Sequence, residues 1–216
     1  MVMEKLQVNP AKVKGRPVYH TVKRVFDILA SALGLIILSP LFLFLIIRIR
    51  YEDGGPAFYS QERISKDGKP FKMYKFRSMI VNADQMIDQL EDQNEIDGAM
   101  FKIKDDPRIT KIGHTIRKYS LDELPQLWNV LIGDMSLVGP RPPLPSEVAE
   151  YTDYDKQRLL VMPGCTGLWQ VTRRSEADFD EMVWLDIVYI NHSGCWEDLK
   201  LIIKTIGVVI HPNGAY

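Results

Sequence analysis

The sequence predicts an α+β chain, predominantly helical, with an N-terminal re-entrant membrane helix hairpin, a small β-hairpin and interfacial amphipathic helices. Three observations lead there. The run from Ile28 to Ile47 is twenty residues without a charge. Two strand-like runs flank Lys66-Asp67-Gly68-Lys69, a turn sequence. Residues 178–191 and 196–210 repeat apolar side chains at helical spacing.

A length of 216 residues suits one domain with a substantial core. Lys plus Arg number 27 against 28 Asp plus Glu, so a net charge of −1 gives the chain no overall attraction to nucleic acid. The two cysteines, Cys165 and Cys195, are too few for a disulfide framework and lack metal-ligand spacing, which fits a reducing compartment. His20, His114, His192 and His211 are scattered, and none has a second ligand at the spacing of a tetrahedral zinc site.

Residues 1–24 set Lys5, Lys12, Lys14, Arg16, Lys23 and Arg24 against Glu4 alone, which reads as a flexible basic arm and then a helix start. The charge-free run that follows, at a rise of about 1.5 Å per residue, could just cross a hydrocarbon layer about 30 Å thick. A cleaved signal peptide fits poorly, because the run is too long and no small-x-small cleavage site follows it. Lys23 and Arg24 flank one end and Arg48 and Arg50 the other, and a straight crossing cannot leave both on the positive side. Ser39-Pro40 lies inside the run, where proline removes a backbone donor and opens the preceding turn. A bend there returns the chain to its starting face, so a hairpin with both ends cytoplasmic is preferred to a single-pass anchor. Asp27 reads as an interfacial helix-end residue.

After Glu52-Asp-Gly-Gly-Pro56 the expected hairpin runs from Ala57 to Ile64 and back from Pro70 to Met79. Its second arm, Phe71-Lys-Met-Tyr-Lys-Phe-Arg77, alternates aromatic and basic residues. That pattern suits a charge-blunted edge, and equally a cationic wall for phosphates or anionic lipid. Residues 82–97 read as a short acidic helix, and 102–108 as a polar loop. Ser146 to Val161 reads as a helix, Thr166 to Val171 as strand-like, 178–191 as an amphipathic helix, and Trp196 to Ile210 as a last apolar helix suited to the membrane interface.

The stretch with the most chemistry is Ser120-Leu-Asp-Glu-Leu-Pro-Gln-Leu-Trp-Asn-Val-Leu-Ile-Gly133, continuing to Gly139-Pro-Arg-Pro142. Ser120 and Glu123 match a capping box, although Pro125 restricts where the helix can begin. Acids at a helix start are ordinarily caps. Here they have cationic company, with Arg117 upstream and Arg141 on a proline-braced turn downstream. Adjacent residues on a helix point about 100° apart, so Asp122 and Glu123 suit separate tasks better than one bidentate clamp. The arginines could grip a polyanion with forked donors, or simply pair with these acids.

Four motifs carry a family resemblance: Tyr74-Lys-Phe-Arg-Ser-Met79, Ser120-Leu-Asp-Glu-Leu-Pro-Gln-Leu-Trp-Asn-Val-Leu131, Gly133-Asp-Met-Ser-Leu-Val-Gly-Pro-Arg-Pro142 and Pro163-Gly-Cys-Thr-Gly-Leu-Trp-Gln170. With them the chain, from Lys23 to Tyr216, resembles the bacterial sugar transferase family of monotopic phosphoglycosyl transferases, which start exopolysaccharide and O-antigen assembly. The chain is expected to be the catalytic unit without the multi-pass N-terminal domain that some members add. It departs from the usual pattern at Cys165, where a β-branched residue is common, and at Arg173, where glycine is common.

The resemblance implies transfer of a sugar 1-phosphate from a UDP-sugar to polyprenyl (undecaprenyl) phosphate, with release of UMP. Asp122 matches the family nucleophile, which forms a phosphosugar-aspartyl intermediate, and Glu123 the residue that engages Mg²⁺. Arg117 and Arg141 match phosphate-binding positions; Lys75, Arg77, Gln170 and Arg174 fall in motifs assigned to substrate or phosphate binding. Ser39 and Pro40 match the break in the re-entrant helix. The implied division is a basic N-terminal arm over 1–22, the re-entrant membrane helix over 23–50 and a cytoplasmic catalytic domain over 51–216, at the cytoplasmic face of the bacterial inner membrane. Membrane lipid is a further expected partner and nucleic acid is not; a homodimer is left open, and the Gly167-Leu-Trp-Gln170 form leans toward UDP-glucose or UDP-galactose. The rivals are a nucleotide-sugar hydrolase and a membrane scaffold without activity.

Overall fold

The computed structural model describes residues 6–86, 103, 106–173 and 177–210, with the backbone alone at Asp84 and Ile210. Its described elements are mostly helical, as the hydrophobic periodicity requires. A short helix α1 (Pro10–Lys14) leads into α2 (Pro17–Ile37) and α3 (Ser39–Asp53). These two meet at Leu38 with a bend of 60°. The cause is local: Ser39 Oγ donates to the Ile36 carbonyl at 2.7 Å, and Pro40 falls in the first turn of α3, where its missing N–H leaves no bond unmade. No single described helix is long and apolar enough to cross a membrane, whereas this bent pair satisfies length and composition together.

The antiparallel hairpin follows as β1 (Phe58–Ile64) and β2 (Pro70–Phe76), in register Phe58↔Phe76 to Ile64↔Pro70. Asp67 (φ 58°) and Gly68 (φ 77°) supply the left-handed turn between them. Next come α4 (Lys111–Lys118), a 3₁₀ turn over Leu121–Glu123, and α5 (Gln126–Ile132). The strands β3 (Ser136–Val138) and β4 (Gly164–Thr166) pair in parallel, with α6 (Pro145–Ala149) and a 3₁₀ turn at Asp155–Leu160 between them. Three helices finish the chain: α7 (Leu168–Thr172), α8 (Phe179–His192), capped by Asp178, and α9 (Cys195–Ile210).

Three apolar clusters hold these elements. Val138, Val183, Ile187, Ile190 and Leu201 form the C-terminal core. Leu45, Ile49, Ala57, Phe76 and Ile116 join α3 to the hairpin and α4. Phe71, Met73, Val130 and Met135 seat α5 on β2.

Two polar residues of α2 fix it to the rest. Arg24 donates to the carbonyls of Val130 at 2.6 Å and Leu131 at 2.9 Å, so its guanidinium satisfies and neutralises the C-terminal end of α5. One turn on, Asp27 is buried and accepts from the Leu137 amide at 3.1 Å. Asp27 is therefore an internal tether rather than an interfacial residue.

Other expectations change for physical reasons. Residues 6–16 are not a loose arm: Val8 and Val13 are buried in the C-terminal core, and Arg16 donates to the Ser193 carbonyl at 2.6 Å. The capping box at Ser120 does not form. Ser120 is left-handed (φ 54°, ψ 25°), a conformation in which it cannot act as an N-cap, and Pro125 delays α5 until Gln126. The helix from Ser146 stops at Ala149, where Asp155 Oδ2 captures the Thr152 amide (2.8 Å) and hydroxyl (2.7 Å) and competes with helix bonding. The run Thr166–Val171 is strand only to Thr166 and then helical, because β3, its only partner, is three residues long. Most of the acidic stretch 82–97 lies outside the described residues.

A buried ion pair locks the C-terminal core. Arg158 Nε donates to Asp186 Oδ2 at 2.8 Å, and the two side chains are 2% and 0% exposed. Removing one partner strands the other charge. Arg158→Met is thus expected to cost about 3–5 kcal/mol, read as a drop of roughly ten degrees in the thermal midpoint of the detergent-solubilised protein.

Candidate active site

The site forms where α4, the 3₁₀ turn, β2 and the Gly139-Pro-Arg-Pro142 turn converge. Ser120 turns the chain sharply, and its left-handed conformation stores on the order of 1 kcal/mol. The following turn presents Asp122 and Glu123, and Leu121 and Leu124 anchor it in the cluster of Leu45, Ile49 and Phe76.

Glu123 accepts from Lys75 Nζ at 2.8 Å, and its side chain is 42% exposed. Burial pushes its carboxyl up, but Lys75, with Arg141 and Arg63 behind it, outweighs that and holds it below the usual carboxylate value. Asp122 goes the other way. Burial and the neighbouring Glu123 charge raise it to about 6, against the pull of Lys75 and Arg117. Two adjacent carboxylates therefore have different proton affinities, as separate tasks require.

Arg141 stands on a turn held from several sides. The Gly139 amide donates to Thr166 O and the Gly164 amide to Pro140 O, both at 2.8 Å. Gly139 and Gly164 approach so closely that a side-chain carbon on Gly164 would lie 2.0 Å from the Gly139 nitrogen, which explains glycine at both. Arg158 Nη2 reaches the Arg141 carbonyl at 3.3 Å, and Arg63 Nη1 the Pro142 carbonyl at 3.1 Å. Arg141 Nη1 itself lies 3.8 Å from Glu147 Oε1.

The structure thus gathers Asp122, Glu123, Lys75, Arg117 and Arg141. Gln170 is tied instead to β4: Nε2 donates to the Cys165 carbonyl at 3.3 Å, and its buried Oε1 has no hydrogen-bond partner among the described residues. Arg77 is not brought to the dyad. It is buried, forms a bidentate pair with Asp53 and donates to the Pro56 carbonyl at 2.6 Å, which braces the hairpin against α3. Arg174 lies outside the described residues.

Sequence reading missed two residues. Arg63 is 5% exposed, and burial followed by the nearby Arg141 lowers it to about 10. Buried Glu147 accepts from the Leu144 amide at 2.8 Å while facing Arg141. The clue to Arg63 was positional: Gln61 and Arg63 share one face of β1, and Arg63 Nη2 donates to Gln61 Oε1 at 2.7 Å.

Among the described residues no three acids, histidines or cysteines could cage a metal. Glu123 nonetheless fits a hard divalent cation. It is ionised, open to solvent on one side and bonded to Lys75 only through Oε1. Mg²⁺ typically takes one or two carboxylates and completes its shell with water and substrate phosphates.

The raised Asp122 carboxyl has a signed consequence. Its folded value lies above that of the unfolded carboxyl, so the fold loses stability as pH rises from about 4 to about 6, and the loss is complete above that. Asp122→Asn is expected to stabilise the fold at pH 8 by on the order of 1 kcal/mol, read as a rise of a few degrees in the thermal midpoint, with the difference shrinking below about pH 6 and vanishing near pH 3, below the unfolded carboxyl's own value. A midpoint unchanged across this range would show that Asp122 is solvated.

Most of the chain is similar to known proteins. The family model described as bacterial sugar transferase matches residues 18–212. The chain is 51% identical over 194 residues to "Galactosyl transferase CpsE" of Streptococcus agalactiae serotype III, covering 89% of this chain and 43% of that protein. It is 44% identical over 220 residues to "Undecaprenyl-phosphate galactose phosphotransferase" of Salmonella typhimurium, covering 100% of this chain and 45% of that protein. It is 38% identical to "Exopolysaccharide production protein ExoY" of Rhizobium meliloti, over 93% of this chain and 91% of that protein. The chain therefore spans less than half the length of the first two relatives and nearly all of the third. On the extent of these matches, the chain belongs to the bacterial sugar transferase family.

Proposed function

We propose that the protein transfers a sugar 1-phosphate from a UDP-sugar to polyprenyl phosphate, as the first membrane step of exopolysaccharide or O-antigen assembly. The observation that carries this reading is the divided dyad. One carboxylate is held ionised by Lys75, while its neighbour, with no direct ion pair among the described residues, is raised in basicity. The printed names of the relatives, which include an undecaprenyl-phosphate galactose phosphotransferase, support the same substrates and favour UDP-galactose, or its epimer UDP-glucose, as donor.

In this reading an Asp122 carboxylate oxygen attacks the sugar-bearing phosphorus of the donor. The bond from that phosphorus to the bridging oxygen breaks, and UMP leaves with the electron pair. The acyl phosphate on Asp122 is then attacked by an oxygen of the lipid phosphate, which restores the carboxylate and leaves the sugar on a lipid pyrophosphate. Division into two displacements lets one phosphosugar pass between a soluble and a lipid partner. Arg117, Arg141 and Lys75 screen the phosphates from the anionic nucleophile. Glu123 would hold Mg²⁺, which supplies charge neutralisation at the phosphates when bound.

The bent pair α2–α3 supports a re-entrant membrane segment with both ends cytoplasmic. Its exposed side chains include Leu29, Leu33, Ile36, Leu43, Phe44 and Ile47, and α9 adds Trp196, Ile203 and Ile206. The protein accordingly sits at the cytoplasmic face of the bacterial inner membrane, where nucleotide sugar and lipid phosphate meet.

UMP release measured with and without polyprenyl phosphate separates this reading from its rivals. A single burst without lipid and multiple turnover with it are expected. Sustained turnover without lipid would make the protein a hydrolase. Asp122→Asn is expected to lose at least about a thousandfold in transfer and all covalent phosphosugar adduct by mass spectrometry. Undiminished function in that variant would leave only the scaffold role. Chelation of Mg²⁺ is expected to abolish the burst, and its readdition to restore it.

A further inference from the structure

Asn129 is fully buried on α5, yet its side-chain amide serves the hairpin. Oδ1 accepts from the Tyr74 amide at 3.0 Å, and Nδ2 donates to the Lys72 carbonyl at 2.7 Å. Both backbone groups lie on the edge of β2 away from β1, where no strand pairs among the described residues. One asparagine thus supplies the acceptor and the donor that a neighbouring strand would bring. Nδ2 also donates to Asp134 Oδ2 at 3.2 Å. The Asn129 carbonyl accepts from the amides of Gly133, Asp134 and Met135 at 3.1, 2.9 and 3.3 Å, so the residue that holds the strand also closes α5.

The place of this grip matters because of what flanks it. Glu123 precedes Asn129 on the same segment, and Lys75 directly follows Tyr74. The two segments therefore meet twice, at the Asn129 amide and at the 2.8 Å pair of Lys75 with Glu123. Between these points Phe71 and Met73 pack on Val130 and Met135. Apolar contact is non-directional, so it presses β2 onto α5 without fixing how far the strand has slid or tilted. The ion pair does not fix it either, since its side chains are 27% and 42% exposed and lysine has a long flexible stem. Hydrogen bonds are directional and tolerate only about 0.5 Å, which leaves the Asn129 amide as the device that sets the strand.

We propose that Asn129 is a positioning residue for the transfer: by holding Lys72 and Tyr74 it fixes where Lys75 stands over the dyad turn, and through Lys75 the placement of Glu123. It touches neither substrate nor reacting atoms. The role rests on the proposed function for the reaction it serves and adds a residue to it. The side chain suits the task. Aspartate would set a carboxylate against the Lys72 carbonyl and Asp134, and leucine would leave both backbone groups of β2 unpaired; of these three similar shapes only asparagine carries a donor and an acceptor.

The test compares Asn129→Ser with Val130→Ala in the detergent-solubilised full chain. A serine hydroxyl reaches one of the two backbone groups at most, whereas Val130→Ala removes buried apolar contact with β2 and leaves the hydrogen bonds in place. The rate of UMP release in the first turnover is expected to fall about thirtyfold in Asn129→Ser and to stay within about threefold in Val130→Ala. In a Lys75→Met background Asn129→Ser is expected to add less than about threefold, because its effect passes through Lys75. An equal loss in both backgrounds, or a thirtyfold loss in Val130→Ala, would make Asn129 a residue of general stability and overturn the proposal. A second measurement needs no activity. Acylation by an amine-reactive reagent, read peptide by peptide in the mass spectrometer, is expected to rise severalfold at Lys75 in Asn129→Ser and to stay unchanged at Lys23, whose 2.8 Å pair with Asp198 lies elsewhere in the fold. A rise at both lysines, or none at Lys75, would refute the assignment. Asn129→Ala carries the same readings should the serine variant not fold. A wild type without a UMP burst would sink the proposed function instead, and the labelling would still decide whether Asn129 sets Lys75.

Discussion

The grip of α2 on α5 is the constraint on which the site depends. Both terminal nitrogens of Arg24 are committed to carbonyls at the end of α5. Asp27, one turn along, holds the Leu137 amide of β3. These three bonds clamp residues 130–137, the link between the dyad-bearing segment and the turn of Arg141. Without the clamp, Asp122 and Arg141 would be joined only by a short chain and a pair of three-residue strands. Their separation is instead set by a rigid helix.

Electrostatics then divides the labour of two neighbouring acids. Asp122 and Glu123 are chemically similar, adjacent and carried on one turn, so any difference between them comes from surroundings. Lys75 reaches only Glu123. Arg63 and Arg141, themselves balanced by Glu147, add to the field on that side. Asp122 is left half-buried beside a fixed negative charge and becomes the more basic carboxylate. The arrangement gives two carboxylates of different basicity from one dipeptide. It also explains why a buried arginine on β1, remote in sequence, belongs to the site.

How much of this was legible depended on the range of the interaction concerned. The hairpin at Asp67-Gly68, the helices 179–192 and 195–210 and the bend at Ser39-Pro40 rest on local rules of periodicity, turn chemistry and proline geometry, and they stand where those rules put them. The dyad and its cations were readable because their motif is long and specific. The contact of Arg63 with Pro142 and the Arg24–Asp27 clamp were not readable, since each acts through a partner dozens of residues away, and Glu147 meets Arg141 across an irregular turn that no periodicity announces. Local rules also failed where tertiary contact or backbone strain overrode them. Ser120 looked like a cap and is a left-handed hinge, and Thr166 to Val171 looked like a strand but has only a three-residue partner to pair with. Arg77 carries the right charge for a phosphate, and Asp53 claims it first.

The alternation along β2 makes the site all or none. Lys75 faces the dyad and Phe76 faces the cluster of Leu45 and Ile49, and successive residues of a strand point to opposite sides. A one-residue slip in the pairing with β1 would bury an ammonium in hydrocarbon and offer a phenyl ring to Glu123. No intermediate register exists between those two outcomes. Damage to the hairpin therefore cannot blur the catalyst by degrees; it can only change the fraction of molecules that possess one.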